Sequence, residues 1–113
     1  MIIRQGFFEG RIRPGMDDRF FQHVREQMVP VWRSFPGLIE LRVSTASATE
    51  DGIEYPLHTS FSFPTQAALE AVLTSPERQE ALKRTKVLLE MFEGRVFHVV
   101  TRPLVRDGHE IGS

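Results

Sequence analysis

The sequence contains no cysteine. That removes disulfides, thiolate metal sites and cysteine nucleophiles together, and it suits a reducing cytoplasm. No apolar run approaches the roughly 20 residues needed to span a bilayer. Arg4 and Glu9 interrupt the opening apolar residues before a signal-peptide core develops. Basic residues are interspersed with acidic ones, and a formal net charge of -1 supplies no field that would draw in nucleic acid. Glycine-rich phosphate loops, nucleophile elbows and dinucleotide fingerprints are missing as well. These absences lead us to expect a soluble cytoplasmic protein with no nucleic-acid or membrane partner. What is present is ordinary: 113 residues suit one domain, and 41% hydrophobic residues suffice for a core without staples.

Along the chain, residues 2–13 predict a first strand closed by Pro14-Gly15. Ile3, Gln5 and Phe7 share one side, and Ile2, Arg4, Gly6 and Phe8 the other. Asp17 or Asp18 is expected to cap a first helix. Its apolar stripe runs through Phe20, Phe21, Val24, Met28, Val31 and Phe35. Pro30 lies inside that stripe and predicts a kink or restart. Residues 38–46 alternate as a half-buried strand, Asp51-Gly52 marks a turn, and residues 55–63 form a third strand with His58, Ser60 and Ser62 on one face. Thr65 caps a second helix, which restarts at Ser75-Pro76-Glu77, where cap, proline and early acid coincide. Gly94 is expected to end it. Residues 95–102 form the fourth strand. The reading is one domain over residues 1–102 with a polar tail, residues 103–113, loose or draped on a partner subunit.

The order strand, helix, strand, strand, helix, strand is the split arrangement of the α+β ferredoxin-like fold, βαββαβ. Right-handed crossovers give a four-stranded antiparallel sheet with two helices on one face. The other face is left bare, and a second copy of the chain would cover it as a homodimer.

Three stretches carry a family resemblance: Arg13-Pro14-Gly15 after strand one, Phe35-Pro36-Gly37 before strand two, and the junction FSFPTQAALEAVLTSPERQEAL. With them the chain resembles the dimeric α+β barrel superfamily, and within it the antibiotic-biosynthesis-monooxygenase type. The resemblance implies a pocket between the sheet and the helices of each subunit. It also implies chemistry drawn from cofactor-free oxidation of phenols and quinols, from haem degradation, or from proteins of no assigned role. The haem-degrading pattern uses a sheet Asn and a His on the second helix. This sequence has no Asn and no His between Thr65 and Phe92, so haem is not expected.

A phenol must lose its proton before its ring carbon reacts directly with dioxygen, and histidine is the natural base near neutrality. The chain has four: His23, His58, His98 and His109. His58 and His98 are the candidate catalytic residues, expected to share a sheet face about 10 Å apart, two strand spacings, beside Gly6 or Phe7. Each reads also as a hydrogen-bonded sheet histidine packed against the partner subunit, the commoner place for such a residue. Arg4 is the candidate holder of a phenolate or carboxylate. Phe7, His23 and Trp32 are candidate substrate-binding residues; Trp32 reads also as core, and His23 as a boundary histidine. No acid stands at ligand spacing from His58 or His98, so no metal and no other cofactor is expected. The reading is a cofactor-independent monooxygenase acting on a small phenolic or quinol-like molecule. Alternatives on the same scaffold are a non-catalytic dimeric barrel, structural or holding a small apolar ligand, and a lyase or isomerase.

Overall fold

Strand β1 (Ile2–Ile12) lies inside the sheet and carries the register of everything around it. The structure, a computed structural model, describes residues 1–46 and 49–111. Strands β2 (Glu40–Ser44), β3 (Leu57–Phe63) and β4 (Phe92–Thr101) complete a four-stranded antiparallel sheet in the order β2-β3-β1-β4. The element order and sheet are those of the ferredoxin-like fold. Both crossover regions are helical and lie on one face, where Phe8, Leu57, Phe61 and Phe63 of the sheet meet Phe20, Met28, Trp32, Leu69 and Leu88 of the helices in one buried cluster.

The first crossover begins as α1 (Asp17–His23) and ends as α2 (Val29–Arg33), with a π-helical segment, Val24–Met28, between them. The cause is local. Pro30 has no N–H to return to the preceding turn, and the wide turn just before it absorbs the mismatch. The cap differs from expectation: Met16 occupies it without a side-chain hydrogen bond, and Asp17 and Asp18 sit in the first turn, where their charge favours the positive helix end. In the second crossover the capping signals act as read. Thr65 Oγ1 accepts from Ala68 N to start α3 (Gln66–Leu73), and Ser75 Oγ accepts from Arg78 N to start α4 (Pro76–Glu90).

Gly94 does not end α4. It belongs to β4, opposite Gly10 of β1. Both glycines have positive φ, +142° and +147°, and a Cβ on either would stand about 2 Å from a carbonyl oxygen of the other strand. The strands approach there more closely than any side chain allows. The expected tail also has structure: β5 (Val105–Arg106) pairs with β6 (His109–Glu110) around an Asp107-Gly108 turn with both residues at positive φ. Gly112 and Ser113 of that tail lie outside the described residues.

Candidate functional site

The register of β1 decides which candidate residues can meet. Gly6 stands opposite His98 on β4 and Thr59 on β3, whereas Phe7 stands opposite Phe97 and His58. Directly paired residues share a sheet face. His98, Gly6 and Thr59 therefore face the helices, and His58 and Phe7 face the other way. The expectation that His58 and His98 share a face is overturned. They pair with neighbouring positions of β1, Phe7 and Gly6, and a one-residue step along a strand changes sides.

On the bare face, Phe7 stacks on Phe97 with ring centroids 5.1 Å apart and stands 4.7 Å from the His58 ring. His58 Nε2–H donates to Gln5 Oε1 at 3.0 Å, and the Gln5 amide donates to Thr101 Oγ1 at 3.3 Å. Burial lowers the His58 pKa. His58 also lines an open groove with Gln5, Arg42 and Ser60, partly roofed by the residues that follow Pro103. Phe7 thus belongs to the outer sheet face and does not shape a sheet–helix cavity.

His23 and Trp32 also differ from their expected places. His23 Nε2–H donates to the Arg84 carbonyl at 2.8 Å and so ties the first crossover to α4. It lines a surface groove between helices with Met16, Arg19 and Met91. Trp32 is core: it is buried and meets Phe61 edge-on, with ring centroids 5.7 Å apart. His109 is exposed in β6.

On the helix-facing side of β4, His98 lies within the electrostatic reach of Arg4 and of a residue that pattern reading missed, Arg78 in the first turn of α4. Gly6 faces the same way. Its missing side chain lets Thr59 Oγ1 and the Cδ2–Nε2 edge of His98 close in, to 2.5 and 3.2 Å from where a Cβ would be. Thr59 is buried, Arg4 and Arg78 are half-buried, and His98 is exposed at the sheet edge.

Burial first, then the charges of Arg4 and Arg78, hold the His98 imidazole down to about 4. Its solvent contact screens part of that effect, but burial and both cations push in one direction. His98 is therefore neutral at pH 7. Burial, and then Arg78, brings Arg4 down to about 10. Burial lowers Arg78 as well. Both guanidiniums stay charged at neutral pH. This side of the sheet thus presents a neutral imidazole, two cations and a buried hydroxyl, the parts needed to take a proton from an acid and hold the anion left behind. Among the described residues no group of three or more His, Asp or Glu side chains is placed to hold a metal.

Sheet and crossover helices together define an α+β protein with the ferredoxin-like fold. No family model and no curated protein matches the sequence. Solved structures match its fold. A protein of the ethyl tert-butyl ether D (EthD) family from Bacillus halodurans superposes with a TM-score of 0.70 at 15% identity, covering 91% of this chain and 98% of that one. An antibiotic biosynthesis monooxygenase gives 0.66 at 13% identity, covering 93% and 100%. A dimeric ferredoxin-like protein of unknown function from Jannaschia gives 0.65 at 20% identity, covering 91% and 100%. No helix among the described residues is long and apolar enough to cross a membrane.

Proposed function

We propose that the protein is a cofactor-independent monooxygenase acting on a small phenol or quinol at His98, on the helix-facing side of β4. The observation that carries the reading is the placement of neutral His98 beside Arg4 and Arg78. A phenol bound beside His98 gives its proton to the imidazole, and a guanidinium holds the phenolate. As that negative charge forms, it offsets the two cations that disfavour an imidazolium, so the base strengthens at the moment it is needed. The electron-rich ring carbon then reacts with dioxygen. One oxygen atom is retained as a carbonyl and the other leaves as water, the substrate supplying all four electrons. His58, hydrogen-bonded on the opposite face, has no part in this step.

The resemblance supports the same reading, and so does the fold shared with an antibiotic biosynthesis monooxygenase. The active unit is a homodimer joined through the bare sheet face, as its dimeric structural neighbour suggests, and its place is the cytoplasm, as the lack of cysteine suggests.

Oxygen uptake with a panel of phenols and quinols tests the proposal. Turnover should fall at least about a hundredfold in His98→Gln, the usual share of a general base, and persist in His58→Gln. Absence of uptake across the panel, or full activity in His98→Gln, overturns it. The same base and anion hold also serve proton abstraction from a carbon acid, so turnover that persists without dioxygen assigns an isomerase or lyase instead.

A further inference from the structure

The outer face of the sheet has unlike halves. Over β1 and β4 it carries the Phe7–Phe97 stack. Over β2 and β3 it is hollow, and the register shows why. Each outward residue of β3 has cross-strand neighbours on the same face: His58 has Phe7 and Ser44, Ser60 has Gln5 and Arg42, and Ser62 has Ile3 and Glu40. The small Ser60 and Ser62 side chains thus lie between longer ones on both sides. The trough runs along β3 from His58 to Ser62, about 13 Å of strand. Pro103, Val105 and Ile111 overhang it, and the groove holds about 870 Å³, within the range of small-molecule sites.

The floor carries unused hydrogen-bonding groups. Among the described residues, the serine hydroxyls that donate to protein partners are those of Ser34 and Ser75. Ser60 and Ser62 have no such bond. Ser62 is only 7% exposed and lines the groove. A hydroxyl so deeply set without a protein partner calls for one from a ligand or water. His58 adds an acceptor. Its Nε2–H is taken up by Gln5 Oε1 at 3.0 Å, so the neutral ring keeps its lone pair on Nδ1. The charges of the floor are already matched, since Glu40 and Arg42 pair with each other. The remaining cation of the lining, Arg106, is on the exposed β5 of the overhang. A compact anion therefore finds no unpaired cation on the floor, and a purely apolar molecule leaves the hydroxyls without partners.

We propose that this trough is a second ligand site, on the opposite side of the sheet from His98, for an uncharged polyhydroxylated molecule of about disaccharide length. Its hydroxyls bond Ser60, Ser62 and His58 Nδ1, and its C–H face lies under Pro103, Val105 and Ile111. The site stands apart from the chemistry at His98, and its test is binding rather than turnover.

The experiment is titration of the full chain at pH 7.5 with maltose, cellobiose, trehalose and sorbitol, read by nuclear magnetic resonance of the histidine rings. Octanoate and 1-octanol serve as charged and apolar probes. At least one of the polyhydroxylated probes should bind more tightly than octanoate or octanol and should shift the His58 ring signals. Ser62→Ala should weaken that binding about threefold to tenfold, the loss of one neutral hydrogen bond. Ser60→Leu, which fills the trough from the outer face, should abolish it; Ser62→Ala, which adds no bulk, decides the matter where Ser60→Leu is unfolded. No binding by any polyhydroxylated probe overturns the proposal. So does tighter binding of octanoate or octanol, or full-strength binding in Ser62→Ala. Binding that emerges only after Phe97→Asp disrupts the aromatic half of this face shows a second copy of the chain filling the trough, and overturns it too.

Discussion

Gly6 and His98 show how one absent side chain sets a chemical property two strands wide. Because Gly6 carries no Cβ, Thr59 and the His98 ring close over the same spot of backbone. The ring is thereby pressed onto the sheet beside Arg4 and Arg78, and its pKa falls from the ordinary 6.5 to about 4. The sign for stability follows. Between those two values the unfolded chain binds a proton at His98 that the folded chain does not, so stability rises with pH across the window and is lost as pH falls from 6.5 towards 4. The groups facing the ring are Arg4 from β1 and Arg78 from α4, both cationic throughout, while β3 contributes only the hydroxyl of Thr59. His98→Gln removes this titration. Urea midpoints measured at pH 7 and at pH 4.5 should show the wild type losing more on acidification than His98→Gln does. Equal losses in the two proteins would show that the ring is not held neutral by its surroundings. The presence of Gly6, Arg4 and His98 was readable in the sequence, but their meeting was not. It depends on the β1–β4 register, and no local signal states which residue of one strand faces which residue of another.

Elements whose ends are fixed by neighbours in sequence were legible, and elements fixed by distant contacts were less so. Thr65 and Ser75 cap their helices because a hydroxyl three residues before a free backbone N–H can reach it without help from the rest of the chain. Asp17 and Asp18 carry an equally good cap residue type, yet α1 starts one residue earlier, where Met16 follows the Arg13-Pro14-Gly15 turn. There Met16 N donates to the Arg13 carbonyl, and the turn sets the entry. Gly94 read as a helix end because glycine commonly occupies that place. Its actual partner, Gly10, is 84 residues away and appears only when the strands are paired. Leu82 and Leu89 of α4 are both exposed, so the apolar character of a helix residue does not by itself place it in the core. Ser75 then has two tasks, since its hydroxyl also donates to the Val72 carbonyl at 2.7 Å and so fixes the break between α3 and α4 that aims Arg78. Ser75→Ala should cost about 1 kcal/mol of stability, read as a shift in urea midpoint. Ser75→Asp, which retains an acceptor at the cap, should recover most of the stability. An unchanged midpoint in Ser75→Ala would place the start of α4 under the control of packing instead.

At the scale of the whole molecule the chain is a slab, 46 × 37 × 19 Å. Its thin dimension is that of two layers, sheet and helix, at about 10 Å each. A two-layer slab buries one sheet face and leaves the other to water. Here that face carries the Phe7–Phe97 stack with Tyr55 and His58 against it, and Val99 is 42% exposed. Arg95 lies over the Phe97 ring at 4.7 Å and pairs with Glu9, so the aromatic centre has a charged rim. An apolar centre with a polar rim is the anatomy of a subunit interface, and a two-fold pairing of the same face on a second copy supplies the missing layer. The consequence is a dimer that a single charge in the stack should break. Sedimentation velocity at micromolar concentration should give twice the chain mass for the wild type and a single chain for Phe97→Asp, because an unpaired carboxylate would be left buried against the partner's aromatic face. Val87→Asp is the matching control: Val87 is also apolar and 45% exposed, but it lies on the helix layer, so its dimer should be intact. A wild-type chain that sediments singly, or a dimer indifferent to Phe97→Asp, would leave the bare face without its second copy. His98 lies on the other side of the sheet from Phe97, so oxygen uptake with phenols by an isolated Phe97→Asp chain separates the two halves of the architecture: retained turnover means that the His98 site is complete within one chain, and its loss means that pairing on one face of the sheet holds β4 in place for chemistry on the other.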